Sequence, residues 1–146
     1  MAQQAKSSVQ PMGIRVERLT PLVQVFDMPR SVAFYRDVLG FEVAASSPAR
    51  GPDDFDWCLL RLQGTNLMLN TAYDEGERPP APEGARVAAH RDAGLFFGCP
   101  DVDGAYAYLR GKGVELDPPA IAPYGMKQLY LSDPDGYVLC FQWAVE

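Results

Sequence analysis

The chain has 146 residues, enough for one domain with its own core and too few for two large ones. Hydrophobic residues make up 47% and charged residues 22%, which excludes a disordered chain. A net charge of −6 argues against a nucleic-acid backbone or an anionic membrane as partner and is compatible with a cationic small ligand or none. The single histidine, His90, excludes any site that needs several imidazoles from one chain. Cys58, Cys99 and Cys140 are far apart and lack a C-x-x-C spacing, so neither a disulfide framework nor a thiolate zinc site is expected. They read as small core residues of a reduced, cytoplasmic protein. No stretch approaches the length of apolar sequence that spans a bilayer.

Residues 1–17 read as a polar, flexible leader without the apolar segment of a signal peptide. Leu22–Phe26 reads as a strand. Asp27 then caps a helix with Pro29 near its start, and Val32, Tyr35 and Leu39 share its inner face. Gly40 stops the helix and Phe41–Ala45 opens a second strand. Two more strands follow, Trp57–Leu62 and Asn66–Asn70, joined by a short turn at Gln63-Gly64-Thr65. The stretch from Tyr73 to Ala93 is rich in proline and reads as a linker or lid, with a helical turn near Val87–His90.

The same order then returns. Leu95–Cys99 is a strand, and Asp101 caps a helix over Val102–Lys112 with Val102, Ala105, Tyr106 and Leu109 inward. Gly113 stops it, and Val114–Leu116 opens the next strand. Lys127–Leu131 and Tyr137–Trp143 close the set around the turn Asp133-Pro-Asp-Gly136. Tyr35 pairs with Tyr108 and Gly40 with Gly113 at a common period of about 73 residues, which reads as duplication. The expected fold is α+β. Two βαβββ modules, residues 18–72 and 93–146, flank a linker over 73–92.

Two motifs and this repeat resemble the vicinal oxygen chelate superfamily, also called the glyoxalase/bleomycin-resistance/dioxygenase family. Val25-Phe-Asp-Met-Pro-Arg-Ser-Val-Ala-Phe-Tyr-Arg-Asp-Val-Leu-Gly-Phe41 is similar to its first-module motif, and Leu131-Ser-Asp-Pro-Asp-Gly136 to its closing turn. The resemblance implies that the modules form a curved, eight-stranded, half-open barrel around a cavity. It also implies a metal position on each of four strands, and these fall at Thr20, Met68, Gly94 and Cys140. Thr, Met, Gly and Cys do not make a hard-metal site, so neither metal nor other cofactor is expected. A residual site would draw on His90, Asp92, Gln24 and Gln142.

Pro123-Tyr-Gly-Met-Lys-Gln-Leu-Tyr-Leu-Ser-Asp-Pro134 is similar to a stretch of the metal-free, bleomycin-resistance-like members, with Tyr124 for Trp. That resemblance implies a drug-binding protein of resistance or sequestration type whose site lies between the subunits of a homodimer. Strand alternation, with Trp57 and Tyr124 near the mouth, gives the expected ligand-binding residues: Gln24, Trp57, Met68, Asn70, Tyr124, Met126, Gln128, Tyr130, Cys140 and Gln142. Such a pocket stacks and hydrogen-bonds an aromatic or cationic small molecule. The alternative is an enzyme of the same superfamily: an isomerase, lyase or dioxygenase. It would be metal-free, with Asp92 or Tyr130 as acid or base, or would use a displaced metal site. A structural dimer module is a further reading. His90 in His90-Arg-Asp92 reads as a solvated loop residue, and Lys127 as either an anion holder or a rim side chain.

Overall fold

The computed structural model describes residues 13–146. Most of the expected leader, residues 1–12, lies outside the described residues. Residues 13–21 run without regular structure into β1, Leu22–Val25. Asp27 caps α1, Met28–Ala33, by accepting from the Arg30 N–H at 3.2 Å. The helix continues as a π turn over Phe34–Val38, in which the Leu39 N–H donates to the Phe34 carbonyl and Phe41 to Tyr35. Gly40 leaves the turn at φ +94°, a conformation that favours glycine. Then come β2, Glu42–Ser46; β3, Trp57–Leu62; and β4, Thr65–Thr71. The second half holds α2, Gly84–Ala89; β5, Gly94–Gly98; α3, Val102–Gly111; β6, Ala120–Ile121; β7, Met126–Ser132; and β8, Val138–Ala144.

The two sheets have the same order, β1-β4-β3-β2 and β5-β8-β7-β6, with the first pair of each parallel and the others antiparallel. They are two four-stranded sheets and do not close into one barrel. Each is covered by a helix on one face. Val23, Val25, Cys58, Leu60, Leu67 and Leu69 are buried beneath α1, and Leu129, Leu131 and Leu139 beneath α3. Alternation leaves the other face of each sheet open.

The sequence reading needs correction at three places. Val114–Leu116 is not a strand; the sixth strand is the two-residue β6, where Ala120 and Ile121 pair with Gln128 and Lys127. Pro118 and Pro119 just before it have no N–H to donate, which keeps the edge strand short. The partner of Tyr35 in the repeat is Leu109, buried at 1%, while Tyr108 is 46% exposed. The linker is also more ordered than proline content suggests. After α2, His90–Asp92 forms a 3₁₀ turn, and His90 is not a solvated loop residue. Its ring stacks on Tyr137 at 4.0 Å, and its Nδ1 lies 2.6 Å from the Asp135 carbonyl.

The modules are joined by the turn between β7 and β8. Asp133 and Asp135 are each only 5% exposed. Asp133 Oδ1 accepts from the N–H groups of Asp135 and Tyr137, both at 2.9 Å, and its Oδ2 accepts from the Tyr35 hydroxyl at 2.7 Å. Asp135 accepts from the Phe26 N–H at 2.8 Å and from the Ser31 hydroxyl at 3.1 Å. The Tyr137 hydroxyl sits 3.1 Å from both the N–H and the carbonyl of Gln24. Phe41 of the first module meets Phe97 of the second edge to face, and Phe97 stacks on Phe141.

Tyr35 is the sole side-chain donor to Asp133 Oδ2 among the described residues. Tyr35→Phe is expected to cost about 1–3 kcal/mol, the penalty for a buried acceptor left unsatisfied, read from urea unfolding. Burial raises the Asp133 carboxyl above its ordinary range, and the Tyr35 and Tyr137 hydrogen bonds only partly offset it. A carboxyl raised in the fold contributes stability that is complete below its unfolded pKa and declines as pH rises through the folded value. Asp133→Asn carries no ionisation cost. The stability of the natural chain relative to this variant is expected to grow as pH falls from 7 to 4; a difference that shrinks on acidification contradicts the assignment.

Candidate functional site

On the second module the open face is built by alternate residues of three strands. Met126, Gln128 and Tyr130 come from β7, Val138, Cys140 and Gln142 from β8, and Gly94, Phe96 and Gly98 from β5. Register sets Gln128 opposite Gln142 and Tyr130 opposite Cys140, with Phe96 on the far side of Cys140. The Gln128 amide, 8% exposed, donates to Gln142 Oε1 at 2.9 Å and to the Tyr124 hydroxyl at 2.8 Å. Tyr124 itself is 70% exposed, at the rim, and the next residue, Gly125, turns the chain at φ +85°. Tyr130 and Phe96 meet edge to face at 6.1 Å, and both are about half exposed.

The open face of the first module has the same construction. Leu22 and Gln24 of β1 lie beside Met68 and Asn70 of β4, and Trp57 and Leu59 of β3 lie beyond them. The Asn70 amide donates to Gln24 Oε1 at 3.4 Å. The ten expected site residues therefore form two groups, one per module. Gln24, Trp57, Met68 and Asn70 sit on the first face, and Tyr124, Met126, Gln128, Tyr130, Cys140 and Gln142 on the second. Among the described residues no hydrogen bond or aromatic contact joins the groups.

Sequence reasoning missed Phe96, the one large side chain on the open face of β5. The glycines at positions 94 and 98 were the available signal, since they leave the space Phe96 fills. A Cβ on Gly94 would come within 2.8 Å of the Phe96 ring. Lys127 is corrected as well. It points to the helix side and donates to Asp103 at 2.6 Å, so it serves neither face.

The positions that hold a metal in the enzymes of the resembling family do not fit one here. Gly94 offers no side-chain donor. Cys140 is fully buried, and burial raises its thiol above the usual range, against the thiolate a metal needs. Thr20 and Met68 add no carboxylate or imidazole. No group of three or more His, Cys, Asp or Glu side chains able to hold a metal occurs among the described residues. His90 and Asp92 do not rebuild the site, because the His90 Nδ1 is committed to the Asp135 carbonyl. The Tyr130 hydroxyl is raised first by burial and then by Cys140, which makes it a weak acid.

A family model, glyoxalase/bleomycin resistance protein/dioxygenase superfamily, matches residues 15–141. No curated protein sequence matches the chain. Among solved structures, TnmS3, an antibiotic binding protein from Streptomyces sp. CB03234, is 25% identical over 91% of this chain and all of its own, with a TM-score of 0.66. A glyoxalase/bleomycin resistance protein from the same Streptomyces strain is 28% identical over 85% of this chain and 97% of its own, with a TM-score of 0.60. The bleomycin-binding protein of Streptomyces verticillus, solved with copper(II)-bleomycin, is 18% identical over 92% of this chain and all of its own. Its TM-score of 0.65 shows likeness of fold. With the motifs, the paired βαβββ sheets and the family match over nearly its whole length, the chain belongs to the glyoxalase/bleomycin resistance protein/dioxygenase superfamily.

Proposed function

We propose that the chain is a binding protein for an aromatic, uncharged or cationic small molecule, of resistance or sequestration type, that works without a metal. The observation that carries this reading is the open face of the second module. It presents two half-exposed rings, Tyr130 and Phe96, over a hydrogen-bonded amide pair, Gln128 and Gln142, with no carboxylate or imidazole among them. Rings and amides of this kind stack and orient a planar ligand; they do not move protons at neutral pH. The net charge of −6 favours a cation over an anion at long range. The likeness to an antibiotic binding protein at 25% identity supports the same class.

A single face leaves one side of such a ligand in water. The open faces also carry Leu22, Phe96 and Tyr130 about half exposed. The proposal therefore includes a homodimer in which the face of one protomer covers the face of its partner. Three free thiols support a reducing compartment, and no described helix is long and apolar enough to cross a membrane.

Calorimetric titration with a panel of cationic planar aromatics, proflavine first, tests the reading. The expected result is saturable binding with the ligand recovered chemically unchanged. Tyr130→Ala removes a half-exposed ring with little cost to the core and is expected to weaken binding about tenfold. Conversion of the ligand, an absence of saturable binding across the panel, or undiminished affinity in Tyr130→Ala contradicts it.

A further inference from the structure

The hydrogen bonds at the centre of the second open face do not close on themselves. Strand pairing sets Gln128 between Gln142 of β8 on one side and Ala120 of β6 on the other. The turn at Gly125 brings Tyr124 back within reach of it. Gln128 uses its amide nitrogen twice inside the protein, on Gln142 Oε1 and on the Tyr124 hydroxyl. Its own Oε1 accepts from no backbone or side-chain group among the described residues, and Ala120 has no side-chain donor to offer. Gln128 is only 8% exposed, so an oxygen left without a donor here asks for an explanation.

Spare donors stand beside this acceptor. Gln142 accepts through Oε1 and keeps the N–H pair of its own amide. The Tyr124 hydroxyl accepts from Gln128 and keeps its hydrogen. Neither finds an acceptor among the described residues. The first open face is built differently. There Gln24 Oε1 already accepts from the Asn70 amide, and both side chains are exposed enough to meet water. Gln128 Oε1 is therefore the atom of the two faces that gains most from a donor brought in by a ligand.

We propose that the ligand of this face carries a lactam or imide edge: an N–H donor beside ring carbonyl oxygens, in the plane of the aromatic ring. This rests on the binding role proposed above and narrows the ligand class. The ligand N–H fills Gln128 Oε1. Its carbonyl oxygens accept from the Gln142 amide and the Tyr124 hydroxyl, while Tyr130 and Phe96 take the ring. Such an edge needs no charge on the ligand, in keeping with a face that offers no carboxylate to pair with one. Gln128 is then the residue that sets specificity. A ring whose nitrogen is alkylated still stacks, but it leaves the buried oxygen unpaired and pays that penalty in affinity.

The test is a fluorescence titration of the full-length protein with naphthalimide and with N-methylnaphthalimide, which lacks the donor. Proflavine serves as the reference for binding to the face. The natural chain is expected to bind naphthalimide at least tenfold more tightly than its N-methyl derivative. Tyr130→Ala is expected to weaken both and keep their ratio. Gln128→Met, of similar length and without the amide, is expected to bring the ratio within about twofold, whereas a clash with the methyl group would survive that change. The natural chain gives a second readout that does not depend on the variant folding. The side-chain carbonyl carbon resonance of Gln128 is expected to move with naphthalimide and to stay in place with the N-methyl compound. Equal affinity for the two imides, a ratio that persists in Gln128→Met, an unmoved Gln128 resonance or no saturable binding of naphthalimide overturns the proposal. If proflavine still binds, only the imide edge is wrong; if proflavine fails as well, the binding role falls with it.

Discussion

The structure depends on two buried carboxylates that the second module cannot satisfy alone. Asp133 and Asp135 accept five hydrogen bonds, and three of the donors belong to the first module: the Tyr35 hydroxyl, the Ser31 hydroxyl and the Phe26 N–H. A carboxylate taken out of water without such partners costs several kcal/mol. The turn is therefore stable as drawn only when α1 and the end of β1 are in place. The linker reinforces it from outside, because His90 stacks on Tyr137 and Val87 packs so close that a Cβ on Gly136 would meet its carbonyl at 2.9 Å.

This joint explains why the motifs that mark the family say little about what the chain binds. Ser31 and Tyr35 of the first motif and Asp133 and Asp135 of the second are spent on holding the modules together. The residues proposed to bind a ligand lie on the opposite faces of the sheets, at positions that those two motifs do not contain. The same joint fixes how the open faces are presented, since the apolar contact of Phe41 with Phe97 and the hydrogen bonds of the turn leave little freedom between the modules.

The strands and the facing of their residues were legible because the period-two pattern is clean. In Leu22–Val25 and in Thr65–Thr71, apolar residues under the helix alternate with Gln24, Met68 and Asn70. The helix caps at Asp27 and Asp101 were legible for the same local reason. What local pattern does not contain was missed. The pairing of Tyr35 with Asp133 spans 98 positions, and nothing near either residue announces it. His90 looked solvated because its neighbours are polar, while its partners come from the β7–β8 turn. The π turn shifts the helical frame by one position, so the repeat set Tyr35 against Tyr108 when Leu109 holds the corresponding place. The ten expected site residues fall on the open faces of both sheets, four on the first module and six on the second.

The central claim is that the two modules unfold as one unit because the aspartate turn of one completes the strand edge of the other. Native-state hydrogen exchange measures this directly. The amides of Gln24 and Phe26, held by Tyr137 and Asp135, are predicted to exchange with the same free energy as those of Leu129 and Leu131 in the middle of β7, namely that of global unfolding. Exchange of Gln24 and Phe26 at a lower free energy, by an opening that leaves β7 protected, would show that the modules part independently and would contradict the account.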